Sequence, residues 1–343
     1  KYDMTTAKVE EVQTWLRDSQ AMISYFVGDS SFYTFKILND DIEVFSKKVN
    51  ELDYWVSTLH KSIYSYFLDS DQTFTLYRKK AADLYYAAHE LYIQLIRPLG
   101  DLPRDLIIVP GGVLGYVPFE ALLIDDLEET IVEFKDYLFL IKKHTISYSY
   151  SATLLREMLR KKREPKYKKL LAFAPEFKAS ETRRLSMKGL RNSLSPLKYN
   201  LDEAQAIHQL FGGKLLAGKD ATMDHFEEEA WKYSLLHFAT HGKADDENPH
   251  FSFLAFTEKG SADNLLYVRD LYNQELCADM VTLSACETGI GKLYRGEGIA
   301  SLARGFSYAG ARSIVTTLWA VPDKKMAEIM KLFYQNLKEG MPK

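Results

Sequence analysis

Two residues of this chain have the type and setting for nucleophilic chemistry. Cys286 closes the run Asp279-Met-Val-Thr-Leu-Ser-Ala-Cys286, an apolar stretch with a β-branched residue that has the length of a buried strand and breaks at once into Glu-Thr-Gly-Ile-Gly-Lys. His241 closes a second run of the same form, Ser234-Leu-Leu-His-Phe-Ala-Thr-His241-Gly242, which breaks into the polar loop 243–249. Open α/β sheets build their sites at the carboxyl ends of the strands, and both side chains are expected there. A thiol attacks as the thiolate, and a neighbouring imidazole can hold it in that form and later protonate the leaving group.

The other residues that could do chemistry read more simply. His237 lies in the same run as His241 and on the same face by strand alternation, so it is expected to be a hydrogen-bonded core residue and not the catalytic imidazole. Cys277 has no motif around it and reads as a small buried hydrophobe. His237, His241 and Cys286 are joined by no carboxylate at ligand spacing, so neither a metal nor any other cofactor is expected. The turn Pro110-Gly-Gly lacks the Gly-Lys-Ser/Thr ending of a phosphate loop. Tyr77, Tyr85, Tyr86 and Tyr92 fall at helical spacing without a basic stripe, the pattern of packing and not of base stacking.

The elements that must position the pair follow from periodicity. From Lys168 onward strands and helices alternate: strand 168–174, helix 201–211, strand 214–217, helix 222–232 and strand 234–240. Strands 252–256, 265–268 and 280–285 follow, then helix 297–309, strand 312–318 and helix 323–338. Alternation of this kind predicts an α/β fold, a parallel sheet with helices on both faces. The first part differs. A helix over 6–18 precedes three short runs, 21–27, 32–38 and 42–45, separated by turn signals and read as an antiparallel meander. A helical pair over 48–68 and 74–97, a strand at 105–109 with the turn after it, strands at 137–142 and 145–150, and a helix from Ser151 complete it. Two domains are therefore expected, residues 1–160 and 161–343.

Composition bounds the setting. The 343 residues are 46% hydrophobic and 27% charged, an ordinary globular balance, and the net charge of -3 argues against a nucleic-acid protein. No apolar run has the length of a membrane span, the start has no signal-peptide pattern, and two cysteines make no disulfide framework, so the chain reads as cytoplasmic. It begins without Met and stops after a helix with no closing element, and so reads as an excised piece. Locally the charge is uneven: from Arg156 to Arg191 there are thirteen Lys or Arg against four Glu. Residues 176–199 lack apolar periodicity and read as a basic loop: a solvated surface, a contact for protein or nucleic acid, a cover over the substrate groove, or a segment that the enzyme itself cuts.

The ordered motifs resemble the CHAT family of caspase-like cysteine proteases, relatives of separase and the caspases. The resemblance is carried by His237-Phe-Ala-Thr-His-Gly242, Leu283-Ser-Ala-Cys-Glu-Thr-Gly289, Arg295-Gly-Glu-Gly298, Ala309-Gly-Ala-Arg312 and Leu318-Trp-Ala-Val-Pro-Asp323. Upstream, the stretches 107–122 and 144–155 are also similar to family sequence. The resemblance implies a catalytic caspase-like half over 161–343 braced by a non-catalytic caspase-like half over 1–160. It implies a Cys286 and His241 dyad, with the backbone N–H groups of Cys286 and Gly242 as oxyanion donors. By analogy with separase, Asp323 is implied to favour arginine before the cut; read alone, Asp323 is also a candidate N-cap of the last helix. It further implies a protein substrate, an upstream helical-repeat region or activator protein, and a role in bacterial defence. A catalytically silent scaffold that binds a partner, and an acyltransferase using the same dyad, are the competing classes.

Overall fold

The computed structural model describes residues 5–49, 51–68, 73–125, 136–161, 164–177, 194–245, 248–259, 264–285, 293–294, 298–299, 302–319 and 321–341. The chain packs as two compact units, Lys1–Arg160 with Leu293–Gly298, and Lys161–Lys292 with Ile299–Lys343.

In the first unit, α1 (Val9–Trp15) precedes the strands β1 (Gln20–Val27), β2 (Ser31–Ile37) and β3 (Ile42–Lys48), which form the expected antiparallel meander. The helical pair follows as α2 (Leu52–Leu68) and α3 (Phe74–Leu95), then β4 (Asp105–Val109), β5 (Thr145–Tyr148) and α4 (Ala152–Arg160). The sheet runs β3-β2-β1-β4-β5, and β4 lies parallel to both β1 and β5. Alternation along β1 explains the layers: Ala21, Ile23 and Tyr25 pack with Leu52, Val56, Leu84 and Leu91 of the helical pair, while Met22 faces Val12 and Leu16. The Pro-Gly-Gly turn serves packing. A Cβ on Gly111 would stand 2.3 Å from the Tyr25 carbonyl oxygen, so only glycine lets the chain pass β1 there.

Two expectations fail in this unit. The second helix starts at Leu52 and not at residue 48, because residues 46–48 complete the pairing of β3 with β2. Residues 137–142 form no strand: a single bridge joins Phe139 to Leu123, and Leu140–Lys142 is a 3-10 turn. The buried residues there are Tyr137 and Leu140, three apart, which is the spacing of a turn and not of a pleat.

The second unit holds the alternating pattern. Its elements are β6 (Tyr167–Pro175), α5 (Asn200–Phe211), β7 (Gly213–Gly218), α6 (Met223–Glu229), β8 (Tyr233–Ala239), the short strands β9 (Gly242–Lys243), β10 (Phe253–Ala255) and β11 (Leu265–Tyr267), α7 (Val268–Leu271) and β12 (Met280–Ser284). The paired strands β13 (Leu293–Tyr294) and β14 (Gly298–Ile299) follow in the chain, the stretch through Gly298 belonging to the first unit, and the second unit resumes with α8 (Leu302–Ala309), β15 (Ile314–Thr316) and α9 (Asp323–Lys338). The five-stranded sheet has the order β15-β12-β8-β6-β7, and every pair is parallel. The helix expected from 297 begins at Leu302, Gly298 and Ile299 being extended. Strands β9, β10 and β11 form a small antiparallel sheet of their own, outside the parallel array.

Side-chain alternation divides the core of this unit between the two faces. Leu171, Phe173, Leu236, Phe238, Val281 and Leu283 pack under Phe226 of α6 and Phe306 of α8. Leu170, Ala172, Ala174, Ala239 and Met280 pack under Ala204 and Ile207 of α5 and Met326, Met330 and Tyr334 of α9. Burial of such side chains is worth roughly 1.5–3 kcal/mol each. Helix α5 joins β6 to its neighbour β7 on one face, and α6 carries the chain back across β6 to β8 on the other. The crossover direction thus reverses at β6, and the crevice at the carboxyl ends of β6 and β8 is the topological switch point. Among the described residues no helix is long and apolar enough to cross a membrane.

Candidate active site

His241 lies at that switch point, two residues beyond the end of β8. Its imidazole is half-buried and meets the ring of Phe177, two residues beyond the end of β6, edge to face with centroids 4.8 Å apart. Nε2 stands 2.7 Å from the Ser195 carbonyl oxygen. A carbonyl only accepts, so Nε2 carries the hydrogen and Nδ1 is the free acceptor of the neutral ring. Burial pulls the His241 pKa below the ordinary histidine value, against smaller upward pushes from the Ser195 carbonyl and the Asp323 carboxylate.

The strand ends around it are tied by a residue that sequence reasoning missed. Asn200, the first residue of α5, is buried, and its Nδ2 donates to the Pro175 carbonyl at 2.8 Å and the Ala239 carbonyl at 3.2 Å. These are the last residues of β6 and β8, so one amide bridges the two strands that frame the crevice. The ladder carries the same edge to β12: Ser284 lies opposite Ala239, and the Thr240 N–H donates to the Ser284 carbonyl. The last described residue of that edge is Ala285, whose carbonyl accepts the Thr317 hydroxyl at 2.9 Å. Cys286 lies outside the described residues. Gly242 starts β9 opposite Leu254, and the carbonyl of His241 accepts from Ala255 N–H, so the residue after β8 is held by the small antiparallel sheet.

The Asp323 carboxylate does not cap its own helix. Helix α9 begins at Asp323 itself, and the residue in the cap position is Pro322, which has no side chain able to accept a bond. Asp323 Oδ2 instead accepts the backbone N–H groups of Lys198 at 2.8 Å and Tyr199 at 3.1 Å, immediately before α5. Of the basic loop, residues 178–193 lie outside the described residues, while Leu194–Tyr199 run past His241 and Asp323.

The family described as the CHAT domain matches residues 86–343. The chain belongs to the CHAT domain family. In fold it is similar to a chain of the Saccharomyces cerevisiae separase–securin complex, with a TM-score of 0.55 at 8% identity over 95% of this chain. That alignment spans 28% of the separase-complex chain. No curated protein matches the sequence. The mixed α/β architecture with helices on both faces of a parallel sheet is thus a caspase-like fold.

Within this CHAT fold His237 takes no part in the site edge. It is fully buried in β8 opposite Thr282, with Nε2 2.9 Å from Glu203 Oε1 of α5, which is buried as well. The approach is off the hydrogen-bond line, so the two groups are close polar neighbours without a directed hydrogen bond. The ring lies edge-on to Tyr334 of α9, whose hydroxyl donates to Thr282 Oγ1 at 2.8 Å. A buried polar cluster therefore links β8, β12, α5 and α9 beneath the strand ends.

Proposed function

We propose that this CHAT chain is a cysteine endopeptidase acting through Cys286 and His241. The observation that carries the reading is the pairing of β8 with β12, in register up to Ala239 opposite Ser284. The chain leaves these adjacent strand ends toward His241 on one side and toward Cys286 on the other. In the proposed reaction the imidazole takes the thiol proton and the Cys286 sulfur adds to the scissile carbonyl carbon. The oxyanion so formed is received by the backbone N–H groups of Cys286 and Gly242. Collapse breaks the C–N bond, His241 returns the proton to the departing amine, and water then hydrolyses the thioester with His241 as general base. An imidazole whose pKa is lowered by burial is a better proton donor once charged, which suits the second step.

Asp323 completes the reading as the substrate-binding carboxylate. It is half-buried and acts electrostatically on His241, and in a partly dry crevice it would favour arginine, by a bidentate contact, or lysine just before the cut. The substrate class is a protein chain. A reducing cytoplasm, control by an upstream repeat region or activator protein, and service in bacterial defence extend the proposal as the family resemblance implies. The test is cleavage of a peptide library together with labelling by an electrophilic peptide ending in arginine. Cys286→Ala and His241→Ala are each expected to lower cleavage by at least about 10³-fold with the fold intact, since members of a catalytic unit fail singly. Retained cleavage in purified Cys286→Ala protein sinks the assignment and leaves the silent scaffold as the better reading.

A further inference from the structure

The segment Leu194–Tyr199 is seated across the proposed site by three separate anchors. At one end Leu194 packs into the apolar cluster of Phe253, Ala255 and Leu265, alongside Phe177 and Tyr267. In the middle the Ser195 carbonyl holds the Nε2 hydrogen of His241. At the other end Asp323 Oδ2 takes the N–H groups of both Lys198 and Tyr199. The polar anchors are backbone groups, which is how an extended peptide of any sequence is held, and the one side-chain anchor is apolar.

From this we infer that Leu194–Tyr199 is an internal strap occupying the peptide seat of the enzyme, and that a substrate must displace it. The inference rests on the endopeptidase reading and adds to it a mode of regulation and a subsite. The Ser195 carbonyl fills the space at the Nε2 edge of His241 where a substrate backbone would lie, and the Asp323 oxygen that accepts two N–H groups is already engaged against a bidentate arginine. Strap and substrate therefore exclude each other at both residues at once. The cluster around Phe253 and Leu265 is the subsite, and its chemistry selects a peptide carrying an apolar side chain where Leu194 now sits.

The test compares the wild-type protein with Leu194→Asp and Asp323→Ala. The rate at which diethyl pyrocarbonate modifies His241 is followed by peptide mass spectrometry, with exposed His250 as the reference. Fully buried His237 must stay unmodified, which certifies in each sample that the unit is folded. Both variants are expected to raise the His241 rate by about tenfold, the factor that corresponds to about 1.4 kcal/mol of lost strap binding. Leu194→Asp is also expected to raise the rate of peptide cleavage. A His241 that reacts no faster in either folded variant, or wild-type cleavage that Leu194→Asp leaves unchanged, overturns the strap. Faster His241 modification with no cleavage by any form keeps the strap as the cover of the imidazole and refutes the endopeptidase reading instead.

Discussion

Replacing Asn200 by Ala removes a side chain that joins the ends of β6 and β8. Its Nδ2 serves two carbonyls, at 2.8 and 3.2 Å, and both belong to buried residues, so water cannot replace it freely. Each hydrogen bond lost to a buried carbonyl costs about 1–1.5 kcal/mol, and two give about 2–3 kcal/mol for Asn200→Ala. At about 2–4 °C per kcal/mol for a domain of this size, the melting point should fall by about 5–10 °C. Asn200→Asp is the sharper probe because it keeps the shape and reverses the polarity. Two carbonyl oxygens facing the new carboxyl disfavour its ionised form, so its folded pKa lies above the unfolded value of about 3.9. The folded state then binds more protons, and stability falls as pH rises from about 4 through the folded pKa. Asn200→Asp should therefore match or exceed Asn200→Ala near pH 4 and be the less stable of the two at pH 7. Thermal unfolding across that range is the assay. A loss under about 0.5 kcal/mol for Asn200→Ala, or equal stability of the two variants at pH 7, would refute the bridging role.

Two further outcomes follow from groups beside the site. His237→Ala leaves the buried Glu203 carboxyl without the polar neighbour 2.9 Å away, and should cost about 1–3 kcal/mol in urea unfolding while sparing the reaction of Cys286 with a small alkylating agent at temperatures where the unit is folded. For His241, burial lowers the pKa, so the unfolded chain binds the extra proton. The stability this group contributes is present at pH 7 and is lost as pH falls through the ordinary value of 6.5 toward the folded pKa. Phe177→Ala opens the face of the ring and should move the pKa back upward, read from the imidazole proton shifts in a Cys286→Ala background; an unchanged or lower value would mean that burial is not the cause.

Much of this arrangement was legible because it is written in apolar periodicity. The runs ending at His241 and Cys286 are strands buried on both faces, and their abrupt polar breaks mark the carboxyl edge where His241 now lies. Residues 137–142 misled because five apolar or aromatic residues in a row have no period, and the choice between pleat and 3-10 turn fell to burial of Tyr137 and Leu140. The role of Asn200 was hidden for a different reason: an Asn before a helix is ordinarily a cap, and its two acceptors lie 25 and 39 residues away. Asp323 reads locally as a candidate cap of its own helix beside its implied role toward substrate, yet it holds the start of another segment, a pairing that no local pattern encodes. The loop over 176–199 could be read as a cover for a groove, but the anchors of its end had no signature, since they are a carbonyl and two amides common to every residue.

The position of that strap follows from the topology. Because the crossovers from β6 and from β7 run on opposite faces, the loops leaving β6 and β8 diverge, and the crevice at these strand ends is floored by the touching rings of Phe177 and His241. The strap closes this crevice from the side of α5, and the chain enters α5 at Asn200, whose amide already grips both walls. A segment fixed at its exit by Asn200 and Asp323 has little freedom left there. Its looser end is Leu194, where the anchor is one half-buried apolar side chain and no hydrogen bond to the cluster is needed. Release should therefore start at Leu194 and proceed toward Tyr199, freeing His241 before Asp323. A substrate that competes first for the apolar cluster gains the imidazole next and the carboxylate last, so an apolar side chain governs entry while the charge at Asp323 governs retention.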